Sequence, residues 1–145
     1  WSSDVCSSDL NPFKERYGKN NDLFVHIRLT DVTHLNPGIR YYKKAIENVN
    51  YENLYISTDD NYNDMILELL KEYPCAKRID GEEKEIIQYA STCKNIILSH
   101  GSFSAIIGYL SFYSDIYYPE YEAEKMWYGD MFSIEKWKRV THKER

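Results

Sequence analysis

Arg28 stands just past an apolar run, Leu23-Phe-Val-His-Ile27, with His26 inside the run and Asp31 three residues beyond the arginine. A guanidinium is a rigid fork that donates two parallel hydrogen bonds, so it suits a phosphate or a carboxylate. If the run is a buried parallel strand, these polar groups emerge where open α/β sheets form ligand crevices, outside the carboxyl ends of the strands. The same residues fit a plainer role, an Arg28–Asp31 pair that braces a loop.

A second cluster, His100-Gly-Ser-Phe-Ser104, lies between the apolar run at 95–99 and a nearly wholly apolar stretch at 103–112. A helix starting here would aim its first N–H groups, with the hydroxyls of Ser102 and Ser104, out of its N-terminus. That is an anion site. Simple capping by Ser102 accounts for the same residues. The two clusters open on one edge of a sheet if both strands are parallel.

The rest of the chain supplies elements that would position them. Strands are expected at 22–28, 53–57, 75–79, 95–99 and 115–118. Helical spacing of apolar residues appears at 39–49, around Met65, Ile66, Leu69 and Leu70, at 82–93 and at 103–112. Asp59 or Asp60 can cap the second of these helices, and Glu85 puts an acid in the first turn of the third. One short helix is expected near 133–139. Strands separated by single helices imply a parallel sheet. The expected fold class is α/β, a Rossmann-like parallel sheet of about five strands with flanking helices.

Composition excludes several functions. Apolar residues make up 43% of 145 and charged residues 28%, which fits one folded domain. A net charge of −5 without a basic stripe argues against nucleic acid as a partner. No apolar run reaches the roughly 20 residues of a membrane helix. Cys6, Cys75 and Cys93 lack zinc-site or disulfide spacing, and the four histidines form no ligand pattern, so no metal is expected. No Gly-x-Gly-x-x-Gly follows a strand, and no P-loop is present. Fourteen tyrosines, several in pairs such as Tyr41-Tyr42, suit half-buried surfaces and clefts as well as core edges.

Residues 1–10 repeat Ser-Ser-Asp followed by an apolar residue and share no pattern with the rest of the chain. They are expected to be a non-native leader, with 11–21 the remnant of an upstream segment and 22–145 the folded domain. The chain is then a fragment.

Three motifs carry a family resemblance: Val25-His-Ile-Arg-x-x-Asp31, Ile56-Ser-Thr-Asp-Asp60, and Ser91-x-Cys-Lys-Asn-Ile-Ile-Leu-Ser-x-Gly-Ser-Phe-Ser104. In this order and spacing, over about 22–140, they resemble the α-1,2-fucosyltransferases of glycosyltransferase family 11. The resemblance implies a GT-B fold, of which this chain is the C-terminal, donor-binding half. It implies a GDP-fucose donor, a glycan acceptor and a partner N-terminal half-domain. It also leaves room for peripheral membrane contact, and the cytoplasm is the expected compartment for a bacterial or viral source. Arg28 would grip the pyrophosphate and His26 would line the guanine or phosphate pocket. Gly101, Ser102, Phe103 and Ser104 would hold the diphosphate. The chemistry implied is an inverting, metal-independent transfer, with Arg28 and Asp31 as the catalytic candidates. Asp59 and Asp60 are further carboxylates whose type equally suits turns and caps. The chain departs from the family pattern at Leu29, where a second arginine is usual, and at His100-Gly101, where Asn-Ser is common. Members also carry a guanine-reading acid at the position of Ile86, with Glu85 one residue early. Two other readings fit the residues: a GT-B transferase using another nucleotide sugar, and a nucleotide-binding module without turnover.

Overall fold

The computed structural model describes residues 11–30, 36–121, 132 and 134–141. Its strands are β1 (Leu23–Ile27), β2 (Leu54–Thr58), β3 (Lys77–Arg78), β4 (Asn95–Ile97), β5 (Asp115–Pro119) and β6 (Lys138–Val140). Its α-helices are α1 (Ile39–Glu47), α2 (Asp64–Glu72), α3 (Glu83–Ala90) and α4 (Ser102–Tyr109). Among the described residues the six strands form one sheet in the order β3-β2-β1-β4-β5-β6, with every neighbouring pair parallel. The fold is α/β and Rossmann-like.

The sheet has one strand more than the alternation suggests, and it lies where the short helix near 133–139 is expected. Lys138–Val140 pairs with β5, Tyr117 opposite Lys138 and Pro119 opposite Val140. Only Val140 of the three is buried. So short a stretch carries no decisive period. The unpaired edge of β5 decides it, by offering backbone partners that a helix there would leave unused.

Strand alternation divides the core into two layers. Val25, Ile27, Ile56 and Ile97 pack with Tyr42, Ala45 and Ile46 of α1 and with Ile66 and Leu69 of α2. Phe24, Ile96, Leu98, Ile116 and Tyr118 pack on the other face with Ile87 and Ala90 of α3 and Ala105 and Ile107 of α4. Every residue of β1 is buried, as its near-continuous apolar run requires of a central parallel strand.

Residues 11–21 are stitched onto the amino end of the sheet. Asn11 Nδ2 donates to Gln88 O at 2.8 Å and to Ser91 Oγ at 3.2 Å. Asn20 Nδ2 donates to Thr92 O at 2.9 Å. Arg16 pairs with the buried Asp22 at 2.5 Å, donates to Thr92 Oγ1 at 3.0 Å, and lies 4.5 Å from the Tyr89 ring centroid. This cluster joins the start of β1 to the start of β4.

A tight contact closes the far side of the second layer. A Cβ at Gly108 of α4 would lie 2.6 Å and 2.7 Å from Trp137 ring atoms and 3.0 Å from Leu98 Cδ1. The Trp137 ring is itself held among Tyr109, Tyr118 and Phe132. Helix propensity favours Gly108→Ala by about 1 kcal/mol, but overpacking costs about 1–3 kcal/mol. The expected outcome is a net destabilisation of about 1–2 kcal/mol by urea unfolding. In a Trp137→Leu background the same change should become stabilising.

Candidate functional site

From β1 the sheet order runs outward through β2 and β3 on one side and through β4, β5 and β6 on the other. The chain direction of winding therefore reverses between β1 and β4. At such a switch point the segments leaving the two carboxyl ends diverge and open a crevice. The structure brings His26, Arg28, Gly101, Ser102, Phe103 and Ser104 to this end of the sheet, from the end of β1 and the turn between β4 and α4.

His26 is the one polar residue of β1 and is 4% exposed. Alternation turns it toward the α3–α4 face, where its ring meets Phe103 edge-on at 5.2 Å. Its Nδ1 is buried and meets no hydrogen-bond partner among the described residues. Burial pushes the imidazole down to about 4, with Arg28 and His100 adding to the effect and Asp59 opposing it. His26 is therefore neutral at pH 7.

Arg28 is half-buried at the crevice, its Nε 3.3 Å from Asp59 Oδ2. Asp59 comes from the end of β2, the neighbour of β1. Its carboxylate accepts the Leu29 N–H at 2.7 Å, the Thr30 N–H at 3.1 Å and the Thr30 hydroxyl at 2.5 Å. Partial burial would raise its pKa, but these donors and the Arg28 charge outweigh that and hold it below the ordinary carboxylate value. Asp59 thus shapes the loop after β1. It does not cap the next helix, as the sequence suggests for Asp59 or Asp60. Asn63 does that, its Oδ1 accepting the Met65 N–H at 2.9 Å. Among the described residues Asp59 faces Arg28 with its carboxylate, and Asp31 lies outside the described residues.

α4 starts after Gly101, whose φ of 94° is a conformation that side chains disfavour. Among the described residues no side chain caps this end, so its first N–H groups keep their capacity for an anion. Ser102 is exposed there. Ser104 is turned inward: it is fully buried and its Oγ accepts the Ser99 N–H at 2.8 Å. It braces the turn. Glu85 stands apart, exposed in the first turn of α3 beside Gly81.

Two residues that the motif reading passes over also belong here. Tyr41 and Tyr42, successive residues of α1, are both fully buried and reach the end of β4 from the opposite face. Tyr41 Oη donates to Leu98 O at 2.6 Å, and Tyr42 Oη lies 2.6 Å from Ser99 Oγ. The sequence signal was a paired tyrosine opposite a strand that ends in serine.

The neutral His26 gives stability a pH dependence of known sign. The unfolded chain takes this proton near 6.5 and the folded chain only near 4, so the contribution is complete above pH 6.5 and is lost as pH falls toward 4. The expected loss is on the order of 3 kcal/mol. Asp59, held below 3.8, adds its own loss only at lower pH. Urea unfolding of His26→Asn should show a flatter dependence than wild type across this window. An unchanged slope would assign the pH dependence to another group.

No protein-family model, no curated protein and no solved structure matches this chain, so the site is defined by its own residues.

Proposed function

We propose that this chain is the donor-binding half of a sugar transferase of GT-B architecture. It would hold a nucleoside diphosphate sugar, GDP-fucose by its motifs, in the crevice between β1 and β4. The observation that carries the reading is the buried Nδ1 of His26, without a hydrogen-bond partner among the described residues, set against the first turn of α4 beside Arg28. A buried polar atom left without a partner costs about 1–3 kcal/mol. A ligand in the crevice would relieve that cost. The strand order supports the same reading, since nucleotides bind at the switch point of such sheets.

The chemistry follows from charge. As the bond between sugar and diphosphate breaks, negative charge grows on the leaving diphosphate. Arg28 and the N–H groups of α4 are fixed before that charge appears, so they stabilise the transition state more than the ground state. Gly101 lets the backbone approach closely, and Phe103 with His26 forms the wall. The proposed acceptor is a glycan hydroxyl, presented by a second half-domain across the crevice. Positioning it in line is worth roughly 7–11 kcal/mol of barrier, so this chain alone should transfer little or no fucose.

One observation favours a second reading, a nucleotide-binding module without turnover. The Asp59 carboxylate is engaged by two backbone N–H groups, the Thr30 hydroxyl and Arg28. It is poorly placed to act as a base.

Calorimetric titration with GDP, UDP and ADP tests the donor. GDP is expected to bind best, and equal affinity for all three would remove the nucleobase assignment. Arg28→Ala should weaken GDP binding by about 2–4 kcal/mol, and Arg28→Lys should recover only part, because a point charge does not reproduce the fork. Wild-type affinity in Arg28→Ala would sink the site assignment. Fucose transfer to galactosides by the chain paired with a candidate acceptor half then separates a transferase from a binding module.

A further inference from the structure

Four hydrogen bonds meet at the fully buried Ser99, at the end of β4. Its Oγ accepts the Arg28 N–H at 3.1 Å. The same oxygen lies 2.6 Å from Tyr42 Oη and 3.4 Å from His100 Nδ1. Its N–H donates to Ser104 Oγ at 2.8 Å. A serine hydroxyl has one proton and two lone pairs, so the three contacts on Oγ can be assigned. The Arg28 N–H takes one lone pair. Tyr42 is fully buried, and its hydroxyl meets no other hydrogen-bond partner among the described residues. Its proton would be stranded unless it points at Ser99, so Tyr42 takes the second lone pair. The serine proton is left for His100 Nδ1. A ring nitrogen that accepts carries no proton, which puts the ring proton of His100 on Nε2.

We propose that Ser99 is the positioning residue of this site: it fixes the backbone of Arg28 and holds His100 as the Nε2–H tautomer, so that a hydrogen-bond donor immediately precedes the start of α4. The inference rests on the reading of the crevice as a diphosphate site, where a donor suits a phosphate oxygen and an acceptor would repel it. Neither Ser99 nor Tyr42 need touch the ligand. Tyr42 acts from the opposite face of the sheet by committing the serine proton.

Long-range proton–nitrogen correlation spectra of the full ¹⁵N-labelled chain at neutral pH test this directly. The His100 pattern is identified by its disappearance in His100→Gln. Wild type is expected to show the neutral Nε2–H pattern; an Nδ1–H or doubly protonated ring would overturn the proposal. Ser99→Ala is expected to shift His100 toward the other tautomer and to weaken GDP binding about tenfold. An unmoved tautomer in a folded Ser99→Ala would also overturn it. Should Ser99→Ala fail to fold, Tyr42→Phe provides the second variant. It vacates one lone pair of Ser99, which can then accept a proton from His100 Nδ1, so the Nε2–H pattern should weaken. An unmoved tautomer in Tyr42→Phe would show that Tyr42 does not commit the serine proton, and the assignment would fall. If wild type does not bind GDP, the nucleotide reading fails while the tautomer measurements still decide the role of Ser99.

Discussion

β1 is bonded in parallel on both edges and covered by helices on both faces. That leaves it no side on which a polar group meets water, so any such group must sit at its carboxyl end or be satisfied internally. Four of its five residues obey this by being apolar. His26 sits one residue before that end and stays neutral, its Nδ1 without a hydrogen-bond partner among the described residues. The position of every other element follows from covering or pairing this strand. α1 and α2 take one face, α3 and α4 the other, and β2 and β4 take the edges.

The polar groups at the carboxyl end are arranged by neighbours distant in sequence. Asp59 organises the loop after β1 from β2, and Ser99 holds the Arg28 backbone from β4. Tyr42 and Ser104 hold Ser99 in turn from opposite sides of the sheet. The arrangement uses backbone N–H groups as much as side chains, and that fixes the loop path. A guanidinium anchored through its backbone on one side and through Nε on the other has little rotamer freedom left to lose on meeting an anion.

The α/β class was legible because alternation of apolar strands and amphipathic helices is a local signal. His26 and Arg28 were legible for the same reason, as polar residues ending an apolar run. Asp59 was not, because its task depends on β2 lying beside β1, a fact of topology that no local window contains. Ser104 carries the right atom for an anion, yet the rotation of α4 turns it into the turn beneath. The strand at Lys138–Val140 overlaps only the end of the helix that the sequence suggests near 133–139; three residues have no measurable period, and the edge they complete is formed by residues 115–119. Tyr41 and Tyr42 were visible as a pair. Which backbone and hydroxyl partners they would meet depended on how α1 crosses the sheet.

β1 and β4 share three register pairs, whereas β1 and β2 share five, so the join between the two halves of the sheet is shorter than the ladder beside it. At the amino end this seam is riveted by Asn11, Arg16 and Asn20, which span from the start of β1 to residues 88–92. At the carboxyl end the Ser99 hydroxyl accepts the Arg28 N–H across it. Mechanically the seam is a short joint tied at both ends, by several side chains at the amino end and by the Ser99 hydroxyl at the other. An anion bridging Arg28 and the start of α4 would reinforce the lighter end, and its binding would be felt as stiffness along β1 and β4 down to the clamp at the far end.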